Sequence, residues 1–211
     1  MEGTPATRRR LSAADRRAAI LEAALDVFSE SGFSDASLDD VAARGGISKA
    51  LIYEHFGSKR ELQVVLLDTY LHELIARVVE AISAVATDED RLRAGIEAFL
   101  DFSSERPAAL RLLTQNVSDP VAGETIDRLR EEAATTLASI MAQDAPPPEP
   151  GDLDLEASAG LLAHMLSGGI QSMAGWWADH PEIPRDRVVE LAMSANWVGL
   201  ERLGQGARWK R

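Results

Sequence analysis

Two short stretches of helical spacing, Leu38 to Ala43 and Ile47 to Phe56, flank Gly45-Gly46, and no other feature narrows the fold as much. Ser37-x-x-Asp40 is a capping signature: hydroxyl and carboxylate each satisfy a backbone N–H that a first helical turn leaves unpaired. Ser48 starts a further helix that runs to about His55, before Gly57-Ser58 breaks the chain again. Two helices of roughly two turns each, joined by a glycine turn, predict a helix-turn-helix. Val41, Ala42, Ile47, Ile52 and Phe56 are spaced to meet between these helices and the one before them. Ala42 is small where the pair must approach closely.

The same punctuation divides the whole chain. Sustained alternation of apolar and polar residues is missing, and alanine, leucine, arginine and glutamate dominate. The spacing therefore predicts an all-α fold of about nine helices. Ser12 caps the first, with Ile20, Leu21, Ala24, Leu25 and Phe28 on its apolar face and Ser31-Gly32 at its end. Ser58-x-x-Glu61 opens a long fourth helix bearing Leu62, Leu66, Leu67, Leu71, Leu74, Ile75, Val78 and Ile82. Further helices are expected at 88–105, 107–115, 121–142, 154–179 and 185–203, with Ala145-Pro146-Pro147-Pro148-Glu149-Pro150-Gly151 as an exposed connection. The expected division is a basic arm at 1–11, a helix-turn-helix domain at 12–58, a larger helical domain at 59–203 and a tail at 204–211.

The net charge of −12 argues at first against a polyanionic partner. Residues 1–60, however, hold nine Lys/Arg and nine Asp/Glu, so the whole acidic excess falls on residues 61–211, with 13 basic and 25 acidic side chains. That asymmetry suggests two tasks: a first segment able to meet a polyanion, and an acidic remainder that repels it. The lack of cysteine excludes a disulfide scaffold, a thiolate zinc site and a cysteine nucleophile. Met1 to Arg10 is polar and basic with no apolar stretch behind it, and no run of about 18 apolar residues occurs, so a soluble, cytoplasmic protein is expected. His55, His72, His164 and His180 are scattered, without a His-x-x-x-His pair, a Gly-x-Ser-x-Gly elbow or a phosphate loop. Asp68 and His72 have the spacing of a metal clamp, but a solvated helix face is the expected reading. Neither enzymatic activity nor a cofactor or metal is expected.

The outward side of the second short helix carries Ser48, Lys49, Ala50 and Tyr53, with Leu51 either outward or in the core. Such a face suits a major groove. Lys49 can donate to guanine O6 and N7 or to a phosphate, and the methyls of Ala50 and Leu51 can meet a thymine methyl. Tyr53 and His55 can donate to phosphate oxygens, contacts that position without specifying. Lys59 lies in the first turn of helix four, where backbone N–H groups and the dipole also attract an anion. Arg8-Arg9-Arg10 is either a solvated tail or an arm that follows the backbone into a minor groove. Arg44 either meets DNA or complements the end of the second helix.

Taken together, the residues from Arg16 to Leu67 resemble the TetR family of bacterial transcriptional regulators. The resemblance rests on Ile20-Leu21-x-Ala23-Ala24-x-x-x-Phe28-x-x-x-Gly32-Phe33, then Ser37-Leu38-x-x-Val41-Ala42, then Gly46-Ile47-Ser48-Lys49-x-x-Ile52-Tyr53-x-His55-Phe56-x-Ser58-Lys59-x-x-Leu62. It implies that the third helix reads the major groove through Ser48, Lys49, Ala50 and Leu51. Tyr53, His55, Ser58 and Lys59 would touch phosphates, with Ser37 and Arg44 at further backbone-contacting positions.

The resemblance also implies that the chain from about residue 60 onward forms a ligand-binding and dimerisation domain. Leu162, Leu166, Gly169, Met173 and Trp176 recur at steps of four and three, and Val188, Leu191, Ala192, Ala195, Val198 and Gly199 make a similar stripe. Such stripes suit an internal core or a seam between copies. The resemblance favours the seam, with Leu162, Leu166, Gly169, Trp176, Val188, Leu191, Ala195 and Val198 at a dimer interface. A pocket for a small hydrophobic ligand would draw on Tyr70, Leu74, Phe99, Phe102, Leu113, His164, Met165, Met173 and Trp177. The implied mechanism is a homodimeric repressor on a near-palindromic double-stranded operator, released when a ligand tilts helix four. An activator or a corepressor-dependent regulator is the alternative. An all-helical interaction module without DNA binding is the alternative of another class.

Overall fold

Helices account for nearly all of the regular structure in the computed structural model, which describes residues 12–114, 120–143 and 153–205. Among these residues there are nine helices and no strand, in the order α1 (Ala13–Asp35), α2 (Leu38–Gly45), α3 (Lys49–His55), α4 (Lys59–Ser83), α5 (Asp88–Glu105), α6 (Pro107–Thr114), α7 (Pro120–Gln143), α8 (Leu155–Ala178) and α9 (Arg185–Gly204). The all-α expectation holds. The Arg8-Arg9-Arg10 arm and the whole proline-rich connection from Ala145 to Gly151 lie outside the described residues, as does the tail beyond Gln205. None of the described helices is long and apolar enough to cross a membrane.

The boundaries follow from local chemistry. Ser12 with Asp15, and Ser37 with Asp40, form reciprocal capping boxes, while Ser48, Thr87 and Asp154 accept from backbone N–H groups of their own first turns. Proline opens α6 and α7, at the one helical position where a missing N–H is harmless. α1 continues to Asp35, past the expected end, but it is broken at Gly32, whose φ of 76° and ψ of 165° are not helical. The sequence signal therefore marks a real break inside a longer element.

The chain divides into two compact units, one up to Leu66 and one from Leu67 onward. The boundary falls inside α4, eight residues beyond the one drawn after residue 58. Two hydrogen bonds explain the shift: Lys59 Nζ donates to the Ser34 carbonyl (3.3 Å), and Gln63 Nε2 donates to the Phe33 carbonyl (3.4 Å). Both tie the start of α4 to the end of α1.

The core of the first unit consists of Ile20, Ala24, Phe28, Val41, Ile52, Phe56 and Leu62, all fully or almost fully buried. Each large member contributes about 1.5–3 kcal/mol by leaving water. Phe28 and Phe33 pack with ring centroids 5.5 Å apart, and Arg17 lies 5.0 Å over the Phe56 ring. In the second unit, Ile96 and Leu100 of α5, Leu110 of α6, Ala174 of α8, and Val188, Val189, Ala192 and Met193 of α9 form one buried cluster.

Candidate nucleic-acid interface and cavity

The turn between α2 and α3 is set by two glycines with different tasks. Gly46 adopts a left-handed conformation (φ 60°, ψ 33°), and its N–H reaches the carbonyls of Ala42 and Ala43 to end α2. Gly45 has an ordinary φ but sits against α1, where a Cβ would lie 3.1 Å from Ala23 Cβ. Close approach of α2 to α1 and an immediate change of direction follow. Ile52 and Phe56 are thereby turned inward, and the opposite side of α3 is left in solvent.

That outer side presents Lys49, Ala50 and Tyr53, the last half exposed at 51%. Ser48 caps the helix by accepting from Leu51 N–H (3.2 Å), so its hydroxyl is partly committed. Leu51 is half-buried, between the two alternatives left open for it. His55 is half-buried too, and its Nε2 is enclosed without a hydrogen-bond partner among the described residues. Ser58 caps α4 by accepting from Glu61 N–H at 3.1 Å.

The cations here are engaged. Lys49 Nζ lies 2.8 Å from Asp39 Oδ2, a hydrogen bond that raises the lysine pKa. Arg44 makes two hydrogen bonds to Glu30 (3.1 and 2.7 Å) and lies 3.3 Å from Asp26, and these carboxylates strengthen its hold on the proton. Arg44 thus braces the end of α2 against α1, a role close to the second of the two expected for it. Asp40, the partner of Ser37 in the capping box, has its pKa lowered by the Ser37 hydroxyl and then by the Ser37 backbone N–H. Sequence reasoning did not single out Asp26, Glu30 or Asp39. Side-chain reach between helices, not spacing along one, decides such pairs.

In the second unit, α4 to α8 line a cavity of about 250 Å³. α4 supplies Leu71, Leu74, Ile75, Val78, Val79 and Ile82. Phe99, Leu110, Leu113, Leu137 and Ile140 add further apolar wall, and Thr114, Arg130, Thr136, His164, Ser167 and Gln171 contribute polar groups. Seven large hydrophobic residues are exposed among the described ones, and five of them (Leu161, Met165, Trp176, Leu191 and Val198) lie on α8 and α9. Clustering on two helices separates this surface from ordinary scattered exposure.

Residues 20–64 match the family model for bacterial regulatory proteins of the tetR family, and residues 88–199 match that of a tetracyclin repressor-like C-terminal domain. The chain belongs to the TetR family. It is similar to the HTH-type transcriptional regulator EthR of Mycolicibacterium smegmatis, with 33% identity over 194 residues that span 88% of this chain and 87% of EthR. It is also similar to the HTH-type transcriptional activator FasR of the same species, with 28% identity over 193 residues covering 90% and 85% of the two chains. The fold is shared with the crystal structure of the transcriptional regulator FadR from Bacillus subtilis in complex with stearoyl-CoA, at a TM-score of 0.65, 20% identity and coverage of 84% and 97%. TetR-family chains are helix-turn-helix transcriptional regulators, and this is one of them.

Within this TetR-family chain, four of the nine expected pocket residues, Leu74, Phe99, Leu113 and His164, line the cavity. The other five do not. Phe102 is fully buried beneath the Arg77 guanidinium, 5.6 Å from its centroid, and Tyr70 is buried with Arg106 over its ring at 5.9 Å. Met173 and Trp177 pack on the α5–α9 cluster, where the indole N–H donates to the Ile183 carbonyl (2.9 Å). Met165 turns outward instead, at 58% exposure. The expected interface divides likewise. Gly169, Trp176, Leu191, Ala195 and Val198 are exposed and Leu162 is half-buried, whereas Leu166 and Val188 belong to the interior. Gly169 and its neighbour Gly168 have nothing within 4 Å of an added Cβ among the described residues, so no contact among these calls for glycine there.

Among the described residues, no group of three or more His, Cys, Asp or Glu side chains is placed to hold a metal ion. His72 Nδ1 lies 2.8 Å from the Asp68 carbonyl oxygen of its own helix.

Proposed function

We propose that this protein is a homodimer that binds a near-palindromic double-stranded DNA site, represses transcription there, and is released by a small apolar ligand. The observation that carries the reading is the exposed side of α3, where Lys49, Ala50 and Tyr53 stand together behind a capped N-terminus. A lysine donor, a methyl and a phenol on one helix face match base-edge acceptors, a thymine methyl and phosphate oxygens. Ser37, Ser48, His55, Ser58 and Lys59 extend the contact surface, and Arg44 acts through its brace on α2.

The exposed apolar surface of α8 and α9 supports self-association, since two copies related by a two-fold axis cover the same patch on each other. The cavity supports a ligand with an apolar body, as does the stearoyl-CoA named for the Bacillus subtilis FadR structure. α4 is one helix from Lys59 to Ser83, and its residues from Leu71 to Ile82 form the cavity wall, so a ligand that moves α4 weakens DNA binding by the factor by which DNA weakens the ligand. An activator is the second reading, favoured by the activator FasR among the relatives.

The test is sequencing of genomic fragments retained by the purified protein at near-physiological salt, with Tyr53→Ala as control. A few fragments that share a near-palindrome and disappear in the control are expected. Absence of enrichment, with and without added cell extract, refutes the DNA-binding reading. A reporter driven from the recovered site then fixes the sign of regulation.

A further inference from the structure

We infer that the cavity of the second unit takes an amphiphile with one unbranched alkyl chain and an anionic head group, held by Arg130. The inference rests on the cavity being the ligand site, as proposed above. The chain follows from α4. Its lining residues run from Leu71 to Ile82, and at 1.5 Å per residue they form an aliphatic track about 16 Å long. A cavity of about 250 Å³ is smaller than the roughly 300–1,000 Å³ common for drug-sized ligands. An aliphatic wall of that length beside a space of that size fits a single flexible chain.

The head group follows from the polar lining. Arg130 Nη2 donates to the Leu113 carbonyl (2.9 Å), beside Thr114, and His164 Nε2 lies 3.3 Å from Glu131, the residue after Arg130. Arg130, Thr114 and His164 all line the cavity. Arg130 is the one permanently charged side chain among the described lining residues, and no Asp or Glu is among them. Its ion-pair partner Asp127 is 3.8 Å from Nη1, beyond hydrogen-bond distance. With its side chain 43% exposed, Arg130 keeps donors for a ligand. A guanidinium beside an apolar wall favours a carboxylate or phosphate through charge-assisted hydrogen bonds and disfavours an ammonium. The shared chemistry is therefore an alkyl chain ending in a carboxylate or bearing a phosphate.

Isothermal titration of the full-length protein with dodecanoate, dodecyl phosphate and dodecan-1-ol, each below its micelle-forming concentration, tests the inference. At least one anion is expected to bind about tenfold or more tightly than the alcohol, as one charged hydrogen bond allows. Whichever anion binds more tightly identifies the source of the charge. In Arg130→Gln, the anion should fall to the level of the alcohol while alcohol binding stays unchanged, and Arg130→Lys should recover part of the difference. Equal binding of alcohol and anions by the unaltered protein overturns the head-group assignment but leaves the cavity as a ligand site. Loss of the alcohol as well in Arg130→Gln makes Arg130 a support for the end of α6 and overturns the assignment too. Binding of none of the three compounds refutes the cavity reading itself.

Discussion

Replacing Gly46 by alanine isolates the cost of the turn that aims α3. The residue is left-handed, at φ 60° and ψ 33°, and a Cβ placed there meets no atom within 4 Å. Steric packing therefore drops out, and only backbone conformation remains. A residue with a Cβ pays roughly 1–2 kcal/mol in this region. Alanine also stiffens the unfolded chain, which returns roughly 0.4–1 kcal/mol. The net expectation for Gly46→Ala is a loss of about 1 kcal/mol. Asparagine visits the left-handed region more readily, so Gly46→Asn should lose clearly less. Gly45→Ala is a steric contrast, because its Cβ would stand 3.1 Å from Ala23 Cβ, and Ala23→Gly should relieve it. Urea titration followed by far-ultraviolet circular dichroism reads these differences as midpoint shifts at constant slope. For a unit of this size unfolding on its own, the same loss lowers the melting temperature by about 4–8 °C. If Gly46→Asn is as damaging as Gly46→Ala, or if Gly46→Ala is neutral, the conformational argument fails.

Three further outcomes follow from the same geometry. Asp39→Asn frees Lys49 and removes a negative charge from the DNA-facing side, so affinity for any duplex should rise by up to about fivefold. The slope of log affinity against log salt should steepen by up to about 0.9, read by fluorescence anisotropy across a salt series, and an unchanged slope and affinity sink the idea. Leu191→Glu, on a residue 69% exposed, should convert dimer to monomer in light scattering and lower the melting temperature only by the lost association, a difference that shrinks on dilution. Leu166→Ala, on a buried residue, should instead cost about 2–5 kcal/mol of stability, and the reverse pattern would show that the helix faces are misassigned. Asp40 has a folded pKa below its unfolded value, so its capping bond stabilises the protein above about pH 4 and that contribution disappears as pH falls through the lowered value. Ser37→Ala should therefore lower stability most at neutral pH, and the difference should shrink in acid to that of the hydroxyl's own cap on the Asp40 N–H, as followed by melting across pH.

What could be read from the sequence was local chemistry. Ser37 with Asp40, Ser48, and Gly46 each specify a cap or a turn within four residues, and the helix-turn-helix follows from them with its buried Val41, Ile52 and Phe56. The second unit resisted because α8 is apolar on more than one face. Leu161, Leu162, Met165, Leu166 and Met173 satisfy several helical stripes at once, and only the positions of α5, α7 and α9 decide that Leu166 turns inward and Met165 outward. Val188 was likewise drawn to the surface seam by its spacing, yet it closes the core against Ile96 and Leu100. Phe102 and Tyr70 looked like pocket aromatics, but arginines on other turns cover them. Arg130 was missed for the opposite reason: within α7 it reads as one more solvated charge, and its place at the cavity depends on the end of α6.

The division at Leu66 also partitions the chain optically. Trp176, Trp177, Trp197 and Trp209 all follow it, so indole emission reports on the second unit, and unfolding of the first alone leaves that emission unchanged. Tyr53 is the sole tyrosine before the boundary, and it stands on the side of α3 that would face DNA, so its quenching offers a label-free signal of duplex binding. Trp176, exposed on α8, should shift its emission to the blue when a second copy covers it. Trp177 is already packed and hydrogen-bonded to the Ile183 carbonyl, so its share of the emission should stay constant.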